Sequence, residues 1–169
     1  MMAPAHLAVV AAKKRSGGGG GAWYDAALYA DATGGSNGKS DVIKWSNVTL
    51  PAGTATKIRV GIYSKDVHTK KIQVGVYDSG GTKIAETSAT DVTGAGLMEL
   101  NLTTSPSVSA GSHSLAFVAD FPDQYKVGFK GSYGHRYHGN LSPTGVLPSS
   151  LPSVAYDAGD MYCMGVWVE

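Results

Sequence analysis

Strict alternation of apolar and polar side chains constrains the fold of this chain more than any other feature. It occurs in KIRVGIY (57–63) and again in KIQVGVY (71–77), and it returns where Met98, Leu100 and Leu102 are separated by polar residues. A period of two residues places successive side chains on opposite faces of a β-strand, so each stretch predicts a strand with one buried face. Because the first two stretches are alike and consecutive, they predict two adjacent strands.

Further strands are predicted where apolar runs are bounded by turn residues. Residues 82–87 follow the turn 78–81 and predict a hairpin partner for 71–77. The segment 23–29 predicts a first strand, although a short helix is also compatible with its alanines. The other predicted strands are 42–50, 112–121, an aromatic strand or hairpin over 125–137, and 161–169. Loops are predicted at 33–40 and 139–159.

About eight or nine short strands and no convincing helix predict an all-β chain. The 23 glycines among 169 residues suit tight turns between short strands. We therefore expect an antiparallel two-sheet β-sandwich, jelly-roll-like, over residues 22–169. The net charge is +1 and charged residues make up 16%, so neither nucleic acid nor an anionic membrane is expected as a partner. No apolar run approaches the roughly 20 residues of a membrane span.

Residues 1–21 have a different composition and are interpreted as a separate N-terminal arm. An apolar peptide with Leu7, Val9 and Val10 precedes the cations Lys13, Lys14 and Arg15, and a run of glycines at 17–21 follows. Glycine runs behave as flexible linkers. The arm is therefore either a disordered tail or a docking peptide on a tether, and its aliphatic residues favour docking. Because its cations follow the apolar run, it is not a secretory signal, and we expect synthesis in the cytoplasm without export.

No motif of a known catalytic or cofactor site occurs in the sequence. It contains no G-x-S-x-G, phosphate-binding loop, H-E-x-x-H or C-x-x-C. The single cysteine, Cys163, lies in a predicted apolar strand and is expected to be a buried thiol. We therefore expect a protein that is not an enzyme and that uses no cofactor and no metal.

Aromatic residues near position 130 are the predicted binding surface. In a strand, Tyr133, His135 and Tyr137 would share one face, and Tyr125 and Trp45 are the other candidates. Tyrosine and histidine rings stack on sugars and anchor protein contacts. The alternative is that these rings cover the core or pack against the proline-containing loop.

Parts of the chain resemble jelly-roll modules of phage virion proteins and carbohydrate-binding modules. The matching residues are VTLPAGTATKIRVGIY (48–63), IQVGVYDSGGTKIAET (72–87), LMELNLTTSPSVSAGSHSLAFVAD (97–120) and the terminal Val166-Trp167-Val168. These are turn and core residues, so the resemblance implies a fold and no ligand site. It implies a virion appendage or decoration protein of a phage head or tail, such as a tail fibre.

The functional expectation combines the arm with the sandwich. The arm, through Leu7, Val9, Val10, Lys13, Lys14 and Arg15, would dock on other virion proteins, and the sandwich would project and bind a host glycan. A homo-oligomer, for example a trimer, is expected for such an appendage. The alternative is a carbohydrate-binding or lectin-like module unconnected with a virion.

Overall fold

The computed structural model describes residues 15–16, 20–37, 42–64, 70–119, 126–131, 135–138, 146–153, 156–158 and 161–169. Within them, a short 3-10 helix spans Tyr29–Asp31. The strands are β1 (Arg15–Ser16), β2 (Ala22–Asp25), β3 (Gly34–Asn37), β4 (Ile43–Leu50), β5 (Gly53–Ser64), β6 (Lys71–Tyr77), β7 (Lys83–Glu86), β8 (Thr90–Asp91), β9 (Gly96–Asn101), β10 (Ser107–Val108), β11 (Gly111–Ala119), β12 (Lys126–Lys130), β13 (His135–His138), β14 (Tyr156–Ala158), β15 (Met161–Tyr162) and β16 (Met164–Val168).

These strands form two antiparallel sheets. The first sheet has the order β1-β2-β16-β5-β12-β15, with β9 and β10 also paired to β5 and β3 to β12. The second has the order β14-β13-β4-β11-β6-β7, with β8 paired to β6. This arrangement confirms the predicted all-β, antiparallel two-sheet architecture.

The main core lies between the two sheets. The alternating residues Ile58, Val60 and Ile62 of β5 are fully buried, and so are Val74 and Val76 of β6. Burial of each such side chain contributes on the order of 1.5–3 kcal/mol. The alternation predicted at 57–63 and at 71–77 is therefore confirmed as a source of the core.

Two aromatic rings join the sheets inside this core. The Phe117 ring on β11 meets the Tyr162 ring on β15 edge-to-face, with centroids 5.0 Å apart and planes at 84°. Edge-to-face pairs of this kind contribute roughly 0.5–1.5 kcal/mol beyond their buried area. Leu115 and Phe117 of β11 both face inward, since both are fully buried.

The predicted adjacency of 57–63 and 71–77 is wrong. The strands β5 and β6 are consecutive in the chain, but β5 belongs to the first sheet and β6 to the second. Alternation specifies which face of a strand is buried and does not specify its neighbour. The two similar apolar faces meet from opposite sides of the core.

Two further local predictions are corrected. Segment 125–137 is neither one strand nor a hairpin, because β12 lies in the first sheet and β13 in the second. Residues 34–37, predicted as loop, form β3 and pair with β12. A Cβ atom at Gly34 would lie 2.9 Å from Cζ of Phe129, so the missing side chain leaves the space that this ring occupies. Glycine here serves close packing instead of a turn.

A second apolar cluster covers the outer face of the second sheet. It contains Ile43, Trp45, Tyr77, Ala116, Val118 and Leu147, with Leu151 packed against it. The segment 146–153 is held there by hydrogen bonds. The Tyr77 hydroxyl donates to the Pro148 carbonyl at 2.9 Å, and Lys83 Nζ donates to the Leu147 carbonyl at 2.9 Å. Residues 146–153 of the predicted loop therefore pack on the sheet, and its residues 156–158 form β14.

Candidate functional site

A polar groove opens on the outer face of the second sheet, beside the second apolar cluster. Its volume is about 330 Å³, which lies at the lower end of the range for small-ligand sites. Two strands, β4 and β11, form its base, and the turn after β6 and the segment 151–153 form its walls. The lining residues are Trp45, Asn47, Asp78, Ser79, Gly80, Gly81, Ser112, Ser114, Leu151, Pro152 and Ser153.

The base of the groove presents an oriented amide. Asn47 and Ser114 are register partners on β4 and β11, and the Ser114 hydroxyl donates to Asn47 Oδ1 at 3.0 Å. Because Oδ1 accepts this bond, the amide group of Asn47 is fixed with its Nδ2 hydrogens directed elsewhere. Asn47 is exposed, so these donors are available to a ligand.

One wall of the groove is a turn organised by Asp78. Its Oδ1 accepts hydrogen bonds from the backbone N–H groups of Gly80 at 2.9 Å and Thr82 at 2.8 Å. Such Asx-type bonding fixes the loop backbone. Gly81 has φ of 81° in this turn, a left-handed conformation that glycine adopts without strain. The turn therefore forms a fixed polar wall.

The chemistry of the lining suits an uncharged, hydroxyl-rich ligand. Serine hydroxyls and an asparagine amide donate and accept hydrogen bonds, while Leu151 and Pro152 add an apolar edge. Among the described lining residues Asp78 is the only ionisable side chain, and none is cationic. A phosphate or another anion would meet no compensating charge here. Sugar hydroxyls and the apolar C–H face of a sugar ring match this combination.

Trp45 contributes differently from the prediction. Its side chain is 3% exposed and packs in the second apolar cluster with Leu147. The Trp45 ring is therefore not exposed for stacking, because the segment 146–153 packs over it. Trp45 instead supports the inner end of the groove.

The structure describes only some of the other predicted site residues. His135 and Tyr137 lie on β13, where Tyr137 is in register with Lys44 and the intervening Arg136 with Trp45. Their strand thus runs beside β4, the strand that carries the groove. Tyr125 and Tyr133 lie outside the described residues. The predicted aromatic surface stays a prediction, although β13 is the neighbour of the groove strand.

The groove residues were missed by sequence reasoning, although a weak signal existed. Asn47 and Thr49 occupy the exposed face of a strand that otherwise buries its side chains. The run Asp78-Ser79-Gly80-Gly81 was predicted as a turn. What brings turn and strand together is the pairing of β4 with β11 and of β11 with β6, which no local pattern reveals.

The outer face of the first sheet carries a different set of side chains. Arg59 lies with Cζ 4.6 Å from the ring centroid of Trp23, and the Trp23 and Trp167 rings meet edge-on at 5.5 Å. Arg59 also forms a two-bond pair with Asp25, with Nε to Oδ1 at 2.7 Å and Nη2 to Oδ2. The charged and aromatic groups of this set therefore contact one another, and we attribute these contacts to the stability of the fold.

Cys163 lies next to this pair, at a small cavity of about 80 Å³. Its side chain is buried, which confirms the prediction, and its Sγ lies 3.5 Å from the Leu28 carbonyl oxygen. Burial first, and then the carboxylates of Asp31 and Asp25, raise the pKa of Cys163 to about 12, with an opposing effect of Lys130. The protonated thiol is a poor nucleophile and a poor metal ligand.

Of the arm, the structure describes Arg15, Ser16, Gly20 and Gly21. Arg15 lies in β1, which pairs with β2 at the edge of the first sheet. The predicted docking residues Leu7, Val9, Val10, Lys13 and Lys14 lie outside the described residues.

Within the described part of the chain, no three or more histidine, cysteine, aspartate or glutamate side chains gather in an arrangement suited to a metal ion. The same part contains no helix with the length and apolar character needed to cross a membrane.

Fold and groove together define the class of molecule: an antiparallel β-sandwich with a polar cleft on one outer face. The chain matches no protein-family model, and no curated protein is significantly similar to it in sequence.

Proposed function

We propose that this chain is a non-enzymatic adhesion module of a phage particle. The N-terminal arm attaches it to other virion proteins, and the β-sandwich projects and binds a host-surface carbohydrate in the groove. The observation that supports this proposal most directly is the groove itself, with the fixed Asn47 amide, the Asp78 turn and the serine hydroxyls around an apolar edge.

The carbohydrate part is supported by the match between lining and ligand. Sugars offer many uncharged donors and acceptors, and a site with oriented polar groups recognises them by hydrogen bonding. The groove is open at the surface, and its lining residues come from four segments: the strands β4 and β11, the turn after β6 and the segment 151–153.

The virion part is supported by the order of the chain. An apolar and basic arm, a glycine run and a β-sandwich follow one another, and the sandwich segments resemble phage jelly-roll modules. Attachment through an arm leaves both outer faces of the sandwich available. A carbohydrate-binding module outside a virion is the second candidate, favoured by the same groove.

The test is binding of the full-length protein to an array of bacterial surface glycans, followed by titration of the strongest hit. Asn47→Ala removes the amide donors from the groove and should weaken binding about tenfold, the effect of one hydrogen bond of roughly 1.4 kcal/mol. Ser112→Tyr places a ring in the groove and should abolish binding.

Thr49→Ala is the matched control. Thr49 is the next exposed residue on the same face of β4 and does not line the groove. Its substitution should leave both affinity and stability unchanged. No signal on the array, or equal affinities for Asn47→Ala and Thr49→Ala, would refute carbohydrate binding in the groove.

A further inference from the structure

The edge of the first sheet is formed by β2 and is partly covered by β1. Arg15 pairs with Trp23 and Ser16 pairs with Ala22. On its other side β2 pairs along its full length with β16. The described pairing with β1 therefore reaches only the first half of β2.

The direction of the backbone groups of β2 follows from one hydrogen bond. Ala26 N–H donates to the Met164 carbonyl at 2.8 Å. In antiparallel pairs the hydrogen-bonding direction alternates with each residue. Tyr24 therefore also bonds toward β16, while the N–H and C=O of Trp23 and Asp25 point to the opposite edge. Trp23 meets Arg15 there, and the described residues of β1 end before the position opposite Asp25.

This edge is an acceptor for a strand of the arm's own sequence. A strand longer than β1 in the same register would bring position 13, a lysine, opposite Asp25. Strand edges with open N–H and C=O groups pair readily with a further strand. The segment that the structure shows to fit the edge is β1, and every copy of the chain carries it.

We propose that β2 accepts the N-terminal strand of a second copy of this chain, so that copies exchange β1 and associate. Gly17–Gly21 connect β1 to β2. Glycine adopts turn and extended conformations with similar ease, so this connection favours neither the closed nor the exchanged form. Exchange preserves each β1–β2 hydrogen bond, which makes it a low-cost route to association. This association requires no ligand in the groove.

The test uses the chain with Gly17–Gly21 deleted and everything else intact. Ser16 is then joined directly to Ala22, and a tight hairpin needs at least about two loop residues. Within one copy β1 cannot reach β2, so pairing is possible only between copies. Light scattering coupled to size exclusion should show a dimer or a closed ring. A folded monomer, verified by near-ultraviolet circular dichroism, would overturn the proposal.

Two proline variants in this deletion background locate the contact. Arg15→Pro removes the N–H that faces Trp23 and should return the protein to a monomer. Ser16→Pro is the matched control, because the N–H of Ser16 points away from β2 and its loss leaves the association intact. If all three proteins associate equally, the contact lies elsewhere and the proposal is wrong.

A second measurement uses the undeleted chain, in case the deletion impairs folding. Tagged and untagged full-length copies are mixed at increasing concentration, and the untagged copy is recovered on the tag resin. Recovery should rise with concentration and fall at least tenfold with Arg15→Pro in both copies. Concentration-independent absence of the untagged copy would also overturn the proposal. Neither measurement uses a glycan or a particle, so this result is separate from the test of the proposed function.

Discussion

At the scale of single residues, burial controls the chemistry of the ionisable side chains in the core. Cys163 is 1% exposed and holds its proton to about pH 12, and the buried hydroxyl of Tyr77 also has a raised pKa because of burial and of Glu86. Both groups hydrogen-bond to or lie against backbone carbonyls, Leu28 for the thiol and Pro148 for the hydroxyl. Each is therefore a structural group that stays neutral in the folded protein.

Alkaline pH should destabilise the protein partly through Cys163. The unfolded thiol loses its proton near its ordinary pKa of 9.0, while the folded thiol keeps it until about 12. Between these values the unfolded state binds fewer protons, so the free energy of unfolding falls as pH rises, by at most about 1.4 kcal/mol per pH unit for this group. Urea unfolding at pH 8 to 11 measures the decrease.

Comparison with Cys163→Ala isolates the thiol from other titrating groups. At pH 8 the variant should be less stable by roughly 1 kcal/mol, because it leaves a small cavity. As pH rises above 9, the difference in the free energy of unfolding between the two proteins should shrink, since the variant has no thiol to ionise. Parallel stability curves for the two proteins across this range would contradict a buried, neutral thiol.

At the scale of strands, the sequence indicates which face of a strand is buried more readily than which strand lies beside it. The alternation around Ile58 and Val74 predicted two strands and their buried faces correctly. It could not reveal that these strands pair in different sheets, because pairing depends on contacts between segments distant in the chain. The groove could not be predicted for the same reason, since its base joins Asn47 of β4 to Ser114 of β11.

Glycines within strands mark close approaches that only the structure identifies. Gly165 of β16 is in register with Asp25 of β2 and with Arg59 of β5. A Cβ atom at Gly165 would overlap Asp25 Oδ1, and the Asp25–Arg59 pair fixes that carboxylate. Gly165 therefore makes room for a largely buried ion pair.

Gly165→Ala should lower the free energy of unfolding by about 3 kcal/mol, because the displaced carboxylate would leave Arg59 largely buried and unpaired. Gly128→Ala is the matched control, since the nearest atoms to its Cβ would lie at an ordinary 3.6 Å. The control should cost about 1 kcal/mol or less. Urea unfolding compares the two variants.

The same measurement in an Asp25→Ala background shows whether the ion pair is the cause. There the new methyl group meets no carboxylate, so the additional cost of Gly165→Ala should fall well below that in the wild-type chain. Equal costs in both backgrounds would show that the backbone, and not the Asp25–Arg59 pair, requires this glycine.

At the scale of the whole molecule, the arm and the groove belong to opposite sheets. The groove lies on the outer face of the sheet that contains β4 and β11, and β1 pairs at the edge of the other sheet. The two apolar clusters are built from residues between Tyr24 and Val168. The proposed attachment through residues 1–16 and the proposed ligand binding would therefore be separable.

Deletion of residues 1–16 should separate these properties. Among the described residues, the deletion removes only β1 and its hydrogen bonds with β2, so the free energy of unfolding should fall by about 1–2 kcal/mol. Affinity for a monovalent oligosaccharide from the glycan array should be unchanged, because no groove residue contacts β1. Incorporation into particles, measured by sedimentation of assembled phage, should be abolished.

The pattern of losses distinguishes an anchor from a structural segment. If the deletion lowers stability, glycan affinity and incorporation together, the arm acts by supporting the fold. If the truncated chain is incorporated normally, attachment uses a face of the sandwich. Selective loss of incorporation identifies the arm as the anchor, and it would explain why an apolar, basic and glycine-rich segment precedes a sandwich whose core does not require it.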